Sequence, residues 1–148
     1  MGELHGMICW TIELSYARVY STEAVRFFKE YHSIEHIRSD ASVGHTILAL
    51  ENDSIIGTGT LLGHNIRRVF VRPDRQGKGI GGRIMTRLER MASDDRVEMV
   101  DLDSSMVSVE FYHRRGYLGD ERCFLELGNG TKLGYIPMTK NIRPGLSP

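Results

Sequence analysis

The stretch that decides the fold is "RPDRQGKGIGGRIM" (residues 72–85), which sets Gly77, Gly79, Gly81 and Gly82 between an apolar run and a helical one. Upstream, "IRRVFV" (66–71) is rich in β-branched and aromatic residues and reads as a strand closed by Pro73, which cannot donate a ladder hydrogen bond. Downstream, Ile80, Ile84, Leu88 and Met91 recur at helical spacing and form one apolar face, while Arg83, Arg87 and Arg90 fall on another, read as a solvated face. The first amides of a helix lack intrahelical partners and carry the positive end of its dipole. Glycines there remove the side chains that would hold an anion away. A strand, a glycine turn and a helix start thus form a unit suited to a phosphate-bearing ligand.

Two common phosphate patterns do not fit it. A P-loop needs a glycine five residues before its Gly-Lys pair, but Gly77-Lys78 has Arg72 there and Gly79 in place of Ser or Thr after it. Gly77, Gly79 and Gly82 do satisfy the dinucleotide pattern G-x-G-x-x-G, with Asp101 downstream at a strand end. In that pattern, however, the first glycine follows its strand almost directly, whereas "RPDRQ" separates Val71 from Gly77. Antiparallel hairpins on both sides also leave too few residues for a doubly wound parallel sheet.

Outward from the loop, the chain reads as one continuous domain over residues 1–148, without repeats or linkers, and with only the closing "RPGLSP" loose. "MICWTIELSYA" (7–17) mixes β-branched and aromatic residues and is expected to be a strand. "STEAVRFFKEYHS" (21–33) opens with the capping residues Ser21 and Thr22 and reads as a helix, with "IEHIRSD" a short second one. "HTILALENDSIIGTGTLL" (45–62) reads as two strands around Asn52, Asp53 and Ser54. "RVEMVDLD" (96–103) is expected to be a strand, "SSMVSVEFYHRRG" (104–116) a helix stopped by Gly116, and "RCFLEL" and "KLGYIPM" a hairpin around "GNG" (128–130). This order predicts an α/β (α+β) fold around one sheet covered by helices.

Composition narrows the function classes. The 148 residues are 41% hydrophobic and 26% charged, with zero net charge, which is ordinary globular usage and no signature of a polyanion binder. Locally, residues 67–90 hold eight Lys or Arg against Asp74 and Glu89, around the glycines. No apolar run approaches the roughly 18 residues of a membrane span, and no targeting segment opens the chain, so a cytoplasmic protein is expected. Cys9 and Cys123 lie far apart without a Cys-x-x-Cys motif, which excludes a zinc ribbon or a disulfide framework.

With these residues in view, the chain resembles the GNAT superfamily of acyl-CoA N-acyltransferases. Gln76, Gly79 and Gly81 in "QGKGIG" match the family's Gln/Arg-x-x-Gly-x-Gly/Ala signature, and "FYHRRGY" (111–117) is similar to its Phe-Tyr-x-x-x-Gly-Phe/Tyr box. The resemblance implies a mixed, mostly antiparallel sheet of about seven strands flanked by about four helices. It implies acetyl-CoA as co-substrate and no metal. Coenzyme A pyrophosphate would lie on the amides of Gln76, Gly77, Lys78, Gly79, Ile80, Gly81 and Gly82, and its pantetheine arm along Val69, Phe70 and Val71. Arg75 and Lys78 are candidates to hold phosphate charge. Tyr112 would donate a proton to the departing thiolate.

The resemblance further implies a small-molecule or peptide amine acceptor, selected by the first helices and the final hairpin near Tyr31, His32 and Glu35, with direct attack in a ternary complex. Homodimers are common in the family; nucleic acid and membranes are not expected partners. Ser105 stands where some members carry a cofactor-touching asparagine, and is also a candidate helix cap. Some members carry a glutamate base on the strand before the loop, where this chain offers arginines. Asp101, Asp103, His64 or a water chain remain the candidates. The rival readings are a non-catalytic acyl-CoA-binding module and a nucleic-acid surface along the arginines.

Overall fold

A computed structural model describes residues 1–128 and 130–143. Asn129, at the centre of the expected final turn, and the closing residues 144–148 lie outside the described residues. The chain opens with helix α1 (Gly2–Thr11), which runs on through a π-helical turn (Ile12–Tyr16). Helices α2 (Thr22–Tyr31) and α3 (Ile34–Val43) follow, each capped by a serine: Ser21 accepts from the Ala24 amide at 3.2 Å and Ser33 from the His36 amide at 3.3 Å. Strands β1 (His45–Glu51), β2 (Ser54–Leu62) and β3 (Asn65–Val71) come next. A 3-10 turn (Pro73–Arg75) leads into α4 (Ile80–Asp94), and β4 (Met99–Ser105), α5 (Val109–Arg114), β5 (Cys123–Glu126) and β6 (Lys132–Asn141) complete the order.

The expectation of a strand over residues 7–17 is incorrect. Leu4, Met7, Ile8, Thr11, Ile12 and Tyr16 are all buried, and their spacing follows the helical period of 3.6 rather than alternation. Fully burying an isoleucine such as Ile8 or Ile12 contributes roughly 1.5–3 kcal/mol, enough for a consistent helical face to override the strand preference of Ile, Trp and Thr. Among the described residues the sheet accordingly has six strands, not about seven, and five α-helices flank it, not about four. The helix expected over 104–116 also starts later. Ser104 and Ser105 end β4, paired with Ile136 and Tyr135, so Ser105 is no cap of α5.

The strand order is β1-β2-β3-β4-β6-β5, antiparallel except for β3 beside β4. The turn between β1 and β2 uses Asn52 and Asp53 at φ 50° and 68°, the left-handed conformation these side chains tolerate best after glycine. Two apolar clusters build the core. One joins α4, α5 and the sheet through Ile84, Met85, Leu88, Tyr112 and Tyr117, and the other joins α1, α2 and α3 to the sheet through Ile8, Ile12, Phe28, Ile37 and Phe70.

In β3 the register against β2 shifts between Thr58 and Thr60, and Arg68 stands opposite the irregularity at φ 56°. This bulge resets the alternation of the strand. Ile66 and Val69, three residues apart, both pack with the α4 cluster, while Phe70 packs with the α1 cluster. A regular strand would send Ile66 and Phe70 to the same face.

Candidate active site

The parallel neighbours β3 and β4 touch at one pair, Asn65 opposite Asp101, with the Asp101 amide donating to the His64 carbonyl at 2.9 Å. Among the described residues no further pairing joins them, so the sheet parts into a wedge towards Val71. Helix α5 sits over the wedge. The turn that leads into it is fixed by Tyr20, whose hydroxyl accepts from the Met106 amide (2.7 Å) and donates to the Gly134 carbonyl (2.8 Å). Tyr112 enters from α5 and Tyr16 from the π-helical turn, both almost fully buried.

Two cavities meet there. The loop-side cavity, about 430 Å³, is lined by the strand end, the glycine loop and Phe111. The helix-side cavity, about 330 Å³, is lined by aromatic residues of α2, by Arg67 and Arg68, and by Asp103 and Ser105. Tyr16, Val69, Phe70, Ser108 and Tyr112 line both. Nine of the ten residues expected to hold coenzyme A line the loop-side cavity; Lys78 does not.

The loop owes its shape to specific residues. The Gln76 side chain donates to the Val71 carbonyl at 3.0 Å, which ties the loop to the strand end. Gly79 caps α4 at φ 81°, a conformation that strains residues with a Cβ. The amides of Ile80, Gly81 and Gly82 follow as the unpaired donors of the first helical turn. Arg75 is already engaged by Glu51 at 2.7 Å and by Asp74 at 3.3 Å. Of the other residues singled out in the sequence, Tyr31 and His32 line the helix-side cavity, whereas Glu35, Cys9 and Cys123 line neither cavity. Arg83, Arg87 and Arg90 are exposed. Among the described residues no cluster of three or more His, Cys, Asp or Glu is arranged to hold a metal ion, and no helix is long and apolar enough to cross a membrane.

The three candidate bases are separated by the wedge. His64 pairs with Asp101 at 2.7 Å, and Asp101 also accepts from Asn65 at 2.7 Å, at the closed end of the wedge. Asp103 lines the helix-side cavity, where the strands have parted. Partial burial, with the neighbouring Asp101 charge adding to it, raises the Asp103 carboxyl above its ordinary range; Arg67 opposes this.

Burial also raises Tyr112 well above the ordinary phenol, reinforced by Tyr16, so its hydroxyl is protonated at neutral pH. Tyr16 is pushed up to about 12 by burial, with Ser105 pulling it down. Tyr16 is the functional candidate that sequence reasoning missed. Its signal was the spacing Leu4, Ile8, Ile12, Tyr16, visible only once α1 is read as a helix.

A hydrogen-bonded chain floors the helix-side cavity. Asn65 accepts from Arg67 Nε at 2.8 Å, Arg67 Nη1 lies 3.4 Å from Asp40, Arg68 Nη1 lies 2.8 Å from the same Asp40 oxygen, and Arg68 Nε donates to His32 Nδ1 at 3.0 Å. Burial first, then the charges of Arg68 and His36, lower His32 to about 3 against the opposing Asp40. It is therefore neutral, with its proton on Nε2.

A six-stranded sheet parted between its parallel neighbours, with a glycine turn on one side of the wedge and a buried tyrosine in it, is the architecture of an acyltransferase fold. The chain belongs to the acetyltransferase (GNAT) domain family, whose family model matches residues 16–141. It is 34% identical over 94 residues to the glucosamine 6-phosphate N-acetyltransferase of Schizosaccharomyces pombe, a match covering 60% of this chain and 83% of that one. Among solved structures it is similar to a GCN5-related N-acetyltransferase from Rhodopseudomonas palustris, with a TM-score of 0.83 and 25% identity, covering 93% of this chain and 86% of that one. It also shares its fold with the PaiA N-acetyltransferase of Thermoplasma acidophilum, solved in complex with coenzyme A, with a TM-score of 0.73 and 18% identity over 95% of this chain and 91% of that one.

Proposed function

We propose that this chain transfers an acetyl group from acetyl-CoA to a primary amine by direct attack in a ternary complex. The observation that carries this reading is the meeting of two cavities at Tyr112 and Tyr16, in the wedge where β3 is unpaired on its β4 side. The coenzyme A complex of the Thermoplasma acidophilum neighbour supports the choice of co-substrate. The amides of residues 76–82, except that of Lys78, line a cavity suited to a diphosphate, and the backbone of Val69–Val71 offers ladder positions to a pantetheine arm.

In this reading the acceptor amine enters the helix-side cavity. Its nitrogen attacks the thioester carbonyl, whose oxygen a β3 amide polarises. Asp103, directly or through water, takes the proton from nitrogen. The carbon–sulfur bond breaks and Tyr112 delivers a proton to sulfur, a role that its raised pKa suits by keeping the hydroxyl protonated. An α-amine costs only about 1 kcal/mol to deprotonate at pH 7, against roughly 4–5 for a lysine-like amine, so acceptors of lowered pKa are favoured. Because the Schizosaccharomyces pombe relative is named for glucosamine 6-phosphate, that amine is included among the acceptors to be tried.

Thermal unfolding with acetyl-CoA, NAD and an oligonucleotide tests the ligand class. A ligand at 100 times its dissociation constant stabilises by about 2.7 kcal/mol. Acetyl-CoA alone is expected to raise the melting temperature; a response to NAD without one to acetyl-CoA would overturn the assignment.

A further inference from the structure

We propose that the helix-side cavity is built for an amine that also carries an anionic group, a carboxylate or a phosphate monoester, which Arg67 and His32 hold while the amine is directed to Asp103. This names the acceptor class for the site, and the amine's fate rests on the acetyl-transfer reading.

Arg67 is held by two of its three nitrogens. Nε donates to Asn65 and Nη1 lies near Asp40, while Nη2 has no partner among the described residues. Asn65 is in turn fixed by Asp101, so the guanidinium is set before any ligand arrives. Its charge is shared between Asp40, whose oxygen lies nearer Arg68 (2.8 Å) than Arg67 (3.4 Å), and the more distant Asp103.

The second donor is independent of the first. His32 is 6% exposed and gives Nδ1 to Arg68, which leaves the Nε2 proton without a partner among the described residues. Both His32 and Arg67 line the helix-side cavity, and each keeps one donor that no protein acceptor takes among the described residues. Oxygens of a ligand anion would satisfy both. Because His32 is neutral it serves as a donor across the ordinary pH range, and Arg67 supplies the charge.

Polarity across the cavity orients the ligand. Arg67 and His32 belong to β3 and to the residue after α2, whereas Asp103 belongs to β4 on the other side of the wedge. An amino-anion would therefore place its anion towards β3 and its nitrogen towards Asp103 and Tyr112. A bare polyamine would meet Arg67 with like charge.

Matched amines test this. Calorimetry on the CoA-saturated protein and steady-state acetylation are both run with β-alanine against β-alaninamide, O-phosphoethanolamine against ethanolamine, and glucosamine 6-phosphate against glucosamine. The expected result is a preference of roughly tenfold or more, about 1.4 kcal/mol, for the anionic member of at least one pair. Which pair responds separates carboxylate from phosphate. Arg67→Gln is expected to collapse that ratio and Arg67→Lys to keep its sign, with the melting temperature and the acetyl-CoA shift reporting that each variant is folded. Equal treatment of all pairs by the unsubstituted protein, or an undiminished ratio in Arg67→Gln, would overturn the proposal. Calorimetric preference without turnover would sustain the anion site and remove the acetyltransferase reading; turnover without preference would do the reverse.

Discussion

In the proposed reaction, Tyr112 concentrates proton donation in one residue. Its ring packs edge-on against Phe111 and Tyr117, at 5.1 and 5.6 Å between centroids, so replacing it by phenylalanine leaves the packing in place and removes only the hydroxyl. Tyr112→Phe is expected to lower kcat by about 10²- to 10⁴-fold, the usual contribution of general acid catalysis, with acetyl-CoA affinity little changed. Steady-state kinetics with calorimetry separates the two effects. Full kcat in this variant would move proton donation elsewhere, and Tyr16, which lines the same two cavities, would be the first alternative.

At the scale of elements, the sheet takes α4 at close range. Helix α4 lies close on β2 because Gly59 has no side chain: a Cβ there would come 2.7 Å from Ile84 Cγ2 and 2.8 Å from Leu88 Cδ1. Gly59→Val is expected to cost roughly 1–3 kcal/mol by overpacking, read as a lower urea midpoint with an unchanged slope. An unchanged midpoint would show that α4 shifts at no cost.

The same scale shows what the sequence made legible. Strand, loop and α4 were readable because Gln76 and the glycines are local signals whose requirements are set within a few residues. The first segment was not, since its composition favours a strand and only the period of its buried residues reveals α1. Asp101 and Asp103 share one face of any regular strand, so alternation alone has no means of choosing between them. They differ because β3 and β4 touch at Asp101 and have parted by Asp103. The bulge at Arg68, which sets Arg67 and Arg68 over the helix-side cavity, depends on a left-handed backbone that no arginine advertises.

For the whole molecule, the buried chain through His32 couples stability to pH. Folded His32 stays neutral down to about 3, whereas in the unfolded chain it titrates near 6.5. Between these values the unfolded state binds the extra proton, so stability falls as pH drops, by up to about 1.4 kcal/mol per pH unit. Asp40 acts in the same sense at lower pH: burial raises its carboxyl, but the hydrogen bond and charge of Arg68, with help from Arg67, outweigh this and hold it below its ordinary range. Urea unfolding at pH 7, 6 and 5 is expected to show this decline. A flat profile would mean that His32 is solvated in the folded protein.

Two cores on opposite sides of a parted sheet leave the wedge between them, and the proposed function puts the thioester donor in the loop-side cavity and the amine in the helix-side cavity. The most direct measurement of that claim is the release of free coenzyme A thiol from acetyl-CoA across a panel of amines. Release that depends on the amine, with stoichiometric N-acetylated product, and that drops in Tyr112→Phe is the predicted result. Acetyl-CoA binding with no amine-dependent release would contradict it and leave a binding module in place of an enzyme.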